Sequence, residues 1–168
     1  MVVRGSWTFS LPILSIAMMV LTAGCIITPD GSDDDEPAKD LTLIIDFEGY
    51  DPDTFSDQRV EWNLDVGGEW VKVLEDRTEG AYYIINNLTA SNALDILEAA
   101  DLVTGIPIEH HTESMGAFVD SVDGVVNGRD GHYWSYYIND DYGLTAANSA
   151  ALSNGDTVRW VFMGNPFG

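Results

Sequence analysis

The first 25 residues constrain this chain most, because they read as an addressing segment and not as part of a folded domain. Arg4 supplies a short positive start, residues 11–21 are an apolar run, and the small residues 22–24 precede Cys25. This is the layout of a signal peptide that is removed from the mature protein. Cys25 is the only cysteine, so no disulfide can form within the chain and packing must hold the domain together.

The sequence LPILSIAMMVLTAGC resembles the lipobox of prokaryotic lipoproteins. The resemblance implies that residues 1–24 are a lipoprotein signal peptide, that the Cys25 thiol carries a diacylglyceryl group, and that Cys25 becomes the first mature residue. The sequence departs from the pattern at Thr22, where Leu is more common. An uncleaved transmembrane segment over residues 6–27 is the alternative, although Pro12 lowers the apolar character of this run and no basic cluster follows it. Both interpretations predict an extracytoplasmic protein anchored to the cell membrane.

The charge balance excludes two classes of partner. Seven Lys and Arg residues stand against 28 Asp and Glu, for a net charge of −21. Such a surface repels nucleic acid and anionic lipid headgroups. Lys39 and Lys72 are the only lysines. This composition suits a protein from a halophilic or marine source, and an ordinary acidic surface protein has a similar one.

The rest of the chain divides into a tether and one domain. Residues 25–40 are rich in Asp, Pro, Gly and Ser and predict a lipidated, disordered acidic tether. Residues 41–168 then form a single domain with its own core. Helical spacing predicts one helix over residues 93–102, capped by Ser91 or Asn92 and ended before Gly105. Period-two runs predict strands around it.

The second half of the chain carries a further resemblance. The helix ASNALDILEAAD is followed by SMGAFVDSVDGV, GHYWSYYIND and SNGDTVRWVF. This order is similar to the C-terminal domain of the transcobalamin and intrinsic factor family, which also occurs in prokaryotic surface proteins. The residues that carry the resemblance are Gly116, Phe118, Ser121, Val122, Tyr133, Trp134, Gly155 and Asp156. It implies an α+β, β-grasp-like domain with a mixed sheet and one main helix. It also names a corrinoid as ligand, although this sequence lacks the helical toroid that completes the site in the vitamin carriers.

The strand HYWSYYIN is the candidate binding element. Alternation places Trp134 and Tyr136 on one face and Tyr133 and Tyr137 on the other. One face must be core, so we expect the Tyr133 and Tyr137 row to be exposed for stacking on a flat ligand. Cross-strand pairing is the simpler explanation for the same aromatics. The candidate ligand-binding residues are Tyr133, Trp134, Tyr136, Tyr137, Tyr142 and Leu144. The expected core includes Leu94, Leu97, Val158, Trp160 and Phe162.

Chemistry-bearing motifs are sparse. The sequence has no nucleophile elbow, zinc-protease motif or glycine-rich phosphate loop, so we expect no enzyme activity and no cofactor. His110 and His111 would point apart on a strand, and a solvated loop is the favoured interpretation. Asp51, Asp53 and Asp57 lack EF-hand spacing, so no metal site is predicted. Asn87 begins an Asn-Leu-Thr sequon and is a possible glycosylation site.

These observations predict a lipid-anchored, extracytoplasmic binding or interaction protein. Its aromatic strand and the loop after it would bind a corrinoid or another ligand. The alternative is a structural cell-surface module that engages envelope proteins and binds no small molecule. Exposure of the aromatic row would favour the first, and full burial the second.

Overall fold

The computed structural model describes residues 36–165 of the chain. Cys25, the signal peptide and most of the tether lie outside these residues. Ten strands and one α-helix follow one another in this part of the chain. In chain order they are β1 (Ala38–Asp46), β2 (Gln58–Leu64), β3 (Trp70–Asp76), β4 (Tyr82–Ala90), α1 (Asp95–Thr104), β5 (Ile108–Glu113), β6 (Gly116–Val122), β7 (Val125–Val126), β8 (His132–Ile138), β9 (Asp141–Tyr142) and β10 (Thr157–Gly164).

The strands form two sheets. The main sheet has seven strands in the order β3-β2-β4-β1-β10-β8-β9, and β5-β6-β7 form a smaller one. In the main sheet, β1 runs parallel to β10 and β2 runs parallel to β4. The other pairs are antiparallel. Sequence-distant strands β1 and β10 therefore meet at the centre of the sheet.

The predicted α+β fold class is wrong, because the described domain is dominated by its sheets and contains a single ten-residue α-helix. Strand β5, predicted as a solvated loop, lacks a buried apolar row, and so does strand β3. In β5, residues 108–113 are half-buried or exposed throughout, and β3 is exposed in all but its first residue. Backbone pairing with β6 and β2 orders these segments, and alternation of side chains does not signal it.

Helix α1 begins and ends at the signals that the sequence carries. The Asn92 side-chain oxygen accepts the backbone N–H groups of Leu94 at 3.0 Å and Asp95 at 2.9 Å. Gly105 ends the helix with φ +72° and donates its N–H to the Asp101 carbonyl. Both caps satisfy backbone groups that would otherwise lack partners. The prediction of Asn92 as a cap and of Gly105 as the stop is confirmed.

The core lies between one face of the main sheet and the layer formed by α1 and the smaller sheet. The five predicted core residues are all buried, with Trp160 3% exposed and Phe162 fully buried. Phe47 joins them, with its ring centroid 4.9 Å from that of Tyr83 and 5.5 Å from that of Trp134. Such edge-on aromatic contacts add to the burial that holds this layer together.

A buried carboxylate ties a loop to the smaller sheet. Asp123 lies in the turn between β6 and β7 with 0% exposure. Its oxygens accept the Thr54 hydroxyl at 2.5 Å and the Tyr83 hydroxyl at 2.7 Å. Burial raises the pKa of the Tyr83 hydroxyl, and the hydrogen bond to Asp123 raises it further. Because a buried charge is costly without partners, these bonds hold the loop at residues 51–57 against the β6–β7 turn.

Within residues 36–165, no helix is both long and apolar enough to cross a membrane.

Candidate functional site: a groove between the two sheets

A groove of about 360 Å³ opens where the main sheet meets the smaller one. Trp134 and Tyr136 of β8 and Trp160 of β10 line it from the main sheet. Ala117 and Val119 of β6 line it from the smaller sheet, and the loop after β9 closes one end. The groove exists because the smaller sheet covers only part of the core-facing side of β8 and β10.

The aromatic floor of the groove is held in place by hydrogen bonds. Trp134 is 8% exposed, and its indole N–H donates to the Val125 carbonyl at 2.9 Å. Its backbone N–H donates to the Asn127 side chain at 2.8 Å. The Trp160 indole N–H donates to the Ala93 carbonyl at 3.0 Å. Buried indoles need such partners, and here they also set the ring orientations.

Tyr136 fastens the loop of residues 142–147 over one end of the groove. Its hydroxyl donates to the Thr145 carbonyl at 2.8 Å, and its own carbonyl accepts the Gly143 N–H at 2.8 Å. A Cβ atom on Gly143 would overlap the Tyr136 ring, so only glycine lets the loop approach this closely. At the other end of the loop, Gly116 packs equally closely on Ala146. The loop is therefore clamped at two points.

The rim of the groove is apolar and exposed. Met115 is 77% exposed and Phe118 is 39% exposed, and both line the groove. Asn127 and Thr145 add polar groups to the lining. An apolar rim around an aromatic floor with a few polar groups is the usual composition of a small-molecule site.

The six predicted ligand-binding residues separate into two groups. Trp134, Tyr136 and Tyr142 line the groove, whereas Tyr133, Tyr137 and Leu144 do not. Tyr133 is 45% exposed on the other face of β8. On that face Tyr137 is half-buried, with its ring 5.3 Å from that of Tyr142. Tyr142 lies at the edge of the sheet and reaches both sides.

Sequence reasoning missed Met115 and Phe118 as site residues and assigned Trp160 to the core alone. Phe118 did leave a signal, because it is an apolar residue on the face of β6 opposite Ala117 and Val119. A large apolar side chain on the outward face of a strand marks an exposed patch. Nothing in the sequence distinguishes Trp160 from an ordinary core residue.

The two histidines contact separate carboxylates. His110 Nε2 lies 2.9 Å from a Glu98 oxygen on α1, and His111 Nδ1 lies 2.8 Å from Asp120 on β6. The hydrogen bond to Asp120 raises the pKa of His111. Both histidines lie in strand β5, not in a loop, and their rings contact different elements as alternation predicts. Among residues 36–165, no three His, Cys, Asp or Glu side chains come together to hold a metal ion.

The remaining sequence candidates lie away from the groove. Asp51 and Asp57 line a shallow acidic depression beside the loop at 78–80, whereas Asp53 packs against Gly124. Asn87 is exposed in β4 with φ +62°, where the pairing with β1 shifts register. Its sequon partner Thr89 is also exposed. The sequon is thus accessible on the described surface.

Comparison with known proteins leaves the family of the whole chain open. No curated protein matches the chain. A crystal structure of a proposed metal-binding protein from Ruminococcus gnavus has 14% identity and a TM-score of 0.39, and the match covers 65% of this chain and 98% of that chain. A crystal structure of haptocorrin in complex with Cbi has 18% identity and a TM-score of 0.39, and covers 65% of this chain and 26% of that one.

One family model matches part of the chain. Residues 90–163 match a domain of unknown function, DUF4430. The matched segment runs from the end of β4 into β10 and contains every residue that lines the groove. The part of the chain that is similar to this domain is therefore the part that builds the candidate site.

Proposed function

We propose that this chain is a lipid-anchored, extracytoplasmic binding protein whose groove holds the edge of a flat, largely apolar ligand. One observation carries the proposal: the groove has a fixed aromatic floor and an exposed apolar rim. A rim of this kind costs free energy in water unless something covers it. Because the floor is already ordered, a ligand loses little free energy to side-chain ordering on binding.

A corrinoid is the ligand that the resemblance to the transcobalamin family names, and it suits this groove chemically. A corrinoid presents a broad apolar edge with amide side chains. The apolar edge would rest on Met115 and the aromatic floor, and an amide would reach the Thr145 hydroxyl. Since the groove is open on one side, this chain supplies half of a site, and we expect micromolar or weaker affinity.

Titration of the purified chain with cobalamin and cobinamide tests the proposal, with tryptophan fluorescence as the readout because Trp134 and Trp160 line the groove. The proposal predicts a saturable change. Met115→Ser should weaken binding severalfold without altering stability, because this side chain is 77% exposed. Leu102→Ser is the matched control, since Leu102 is 86% exposed on α1 and does not line the groove. The absence of a saturable change up to millimolar ligand would exclude a corrinoid as the ligand of this chain.

Membrane anchoring rests on Cys25 and remains a proposal, because Cys25 lies outside the described residues. Mass spectrometry of membrane-extracted protein should find a mature chain that starts at an acylated Cys25. Cys25→Ser should release or mislocalise the protein. Recovery of a chain that retains residues 1–24 would contradict lipidation and favour the transmembrane alternative.

The structural-module alternative is favoured by a different surface, the outer edge of β3. Val71, Val73 and Leu74 are 47–49% exposed along this edge strand. Exposed apolar edge strands accept a strand from another protein. If the chain is an envelope module, Val73→Lys should abolish co-purification of a partner, and Met115→Ser should leave it unchanged.

A further inference from the structure

The face of the main sheet opposite the groove carries a continuous row of side chains. Strand register aligns one residue from each of the seven strands, and this row runs Val73, Glu61, Ile84, Ile44, Arg159, Tyr137 and Tyr142. Arg159 points away from the groove because Trp160, its neighbour in β10, lines the groove. Apart from Tyr142 on the edge strand, no residue of this row lines the groove.

Arg159 is unusual in this acidic chain. Residues 36–165 contain six Lys and Arg residues. Four of them lie within ion-pair distance of a carboxylate, and these are Lys39, Arg59, Arg77 and Arg129. Lys72 is exposed and lies over the Phe55 ring. Within the described part of the chain, Arg159 is the half-buried cation that has no carboxylate partner.

The Arg159 guanidinium is held by stacking instead. Its central carbon lies 4.6 Å from the centroid of the Tyr137 ring. Stacking orients the guanidinium plane and leaves its N–H groups free to bind a carboxylate with two parallel hydrogen bonds. A half-buried cation gains more from such a partner than an exposed one does, because water screens it less.

A cavity of about 270 Å³ lies beside Arg159. Its other lining residues are Ile44, Asn139, Asp140 and Thr157. Arg159 and Asp140 therefore line one cavity with opposite charges, yet they form no ion pair with each other. Ile44, directly beside Arg159 in the register, adds an apolar surface.

The turn that carries Asp140 is fixed. The Asn139 side-chain oxygen accepts the Thr157 N–H at 2.9 Å, and its amide donates to Asp156 at 2.7 Å. The Asn139 backbone N–H donates to the Thr157 carbonyl at 2.9 Å. These bonds tie the β8–β9 turn to β10, so Asp140 and Arg159 keep their relative positions without a ligand.

We propose that this cavity binds a small zwitterion of the α-amino acid class. The ligand carboxylate binds the Arg159 guanidinium, the ammonium group binds the Asp140 carboxylate, and an aliphatic side chain packs on Ile44. A ligand with both charges gives Arg159 and Asp140 each an oppositely charged partner. A simple anion would pair with Arg159 but would be repelled by the Asp140 carboxylate. This site is independent of the groove and of its ligand.

Calorimetric titration of the purified full chain with L-leucine tests the proposal. Isocaproate, which lacks the ammonium group, and isoamylamine, which lacks the carboxylate, are the matched probes. Leucine should bind saturably and at least about tenfold more tightly than either probe, since each probe leaves one charged residue unpaired. Arg159→Gln and Asp140→Asn should each weaken leucine binding by about tenfold or more.

Arg129→Gln is the control variant, because Arg129 also stacks on a tyrosine, 5.3 Å from the Tyr50 ring, and its loss changes the net charge equally. It should leave leucine binding unchanged. Should Arg159→Gln fail to fold, Asp140→Asn decides, because asparagine tolerates the φ of +71° at this position. The proposal is overturned if leucine gives no saturable heat at millimolar concentration. It is also overturned if isocaproate binds as tightly as leucine, or if Asp140→Asn leaves binding unchanged.

Discussion

The two faces of strand β8 use their aromatic side chains in different ways. On the core side, Trp134 and Tyr136 are 8% and 6% exposed and hydrogen-bonded, and they line the groove. On the open side, Tyr133 is 45% exposed and Tyr137 supports Arg159 by stacking. The groove is thus a stretch of core face that the smaller sheet does not cover. Stability and binding should therefore be coupled on the first face and separable on the second.

Truncation at the groove floor should have the largest effect. Trp160→Ala removes a buried indole, its contact with the Tyr136 ring at 5.3 Å and its hydrogen bond to Ala93. We expect a loss of about 3–5 kcal/mol in the free energy of unfolding. Tyr133→Ala on the open face should cost less than about 1 kcal/mol. Chemical denaturation measures both losses. Equal losses would contradict the statement that stability depends on the core-side face of β8 and not on the open face.

A methyl group placed between the loop and the Tyr136 ring should have the next largest effect. Gly143→Ala places a methyl group where the Tyr136 ring lies, so the loop must move away. We expect a destabilisation of about 1–3 kcal/mol, together with weaker binding in the groove. Gly67→Ala is the control, since its Cβ would meet only the Asp65 side chain, with a nearest atom at 3.2 Å. A Gly143→Ala variant with unchanged stability and binding would show that the loop is not clamped.

A smaller change sharpens the same comparison by removing one hydroxyl from each face. Tyr136→Phe loses the hydrogen bond to the Thr145 carbonyl at 2.8 Å and should cost about 1 kcal/mol. Tyr137→Phe loses only a contact of 3.5 Å to the Met163 sulfur and should be nearly neutral. Thermal unfolding of the two variants measures the difference. A larger loss for Tyr137→Phe would reverse our assignment of the anchored face.

The smallest expected effect is a pH dependence at the groove rim. The His111 ring stacks on Phe118 at 5.8 Å, and its hydrogen bond to Asp120 raises its pKa, with Glu113 adding to the effect. Because the folded pKa is raised, the stabilisation is complete below the usual pKa of histidine and is lost as pH rises through the raised value. An NMR titration should show the raised pKa, and Asp120→Asn should lower it. An unchanged pKa in that variant would contradict the assigned cause.

Local sequence patterns predicted the features whose conformation depends on residues nearby in the chain. Asn92 and Gly105 mark the ends of α1 because capping acts within a few residues. Alternation in β10 identifies its buried row, because the apolar residues Val158, Trp160 and Phe162 alternate with a set that includes the charged Arg159. The fold class was wrong in part because β5, predicted as a loop, is a strand ordered by backbone pairing with β6, which its exposed side chains do not signal.

The sequence by itself determined the acidic surface, the absence of a disulfide within the chain and the period of strands such as β8 and β10. It also showed that β8 has two aromatic faces. Only the tertiary structure decided which face of β8 lines a groove, because this depends on how much of β8 the smaller sheet covers. It also decided that Asp140 and Arg159 line one cavity, since β8 and β10 meet only by strand pairing. Alternation states which side chains share a face, and packing decides what that face meets.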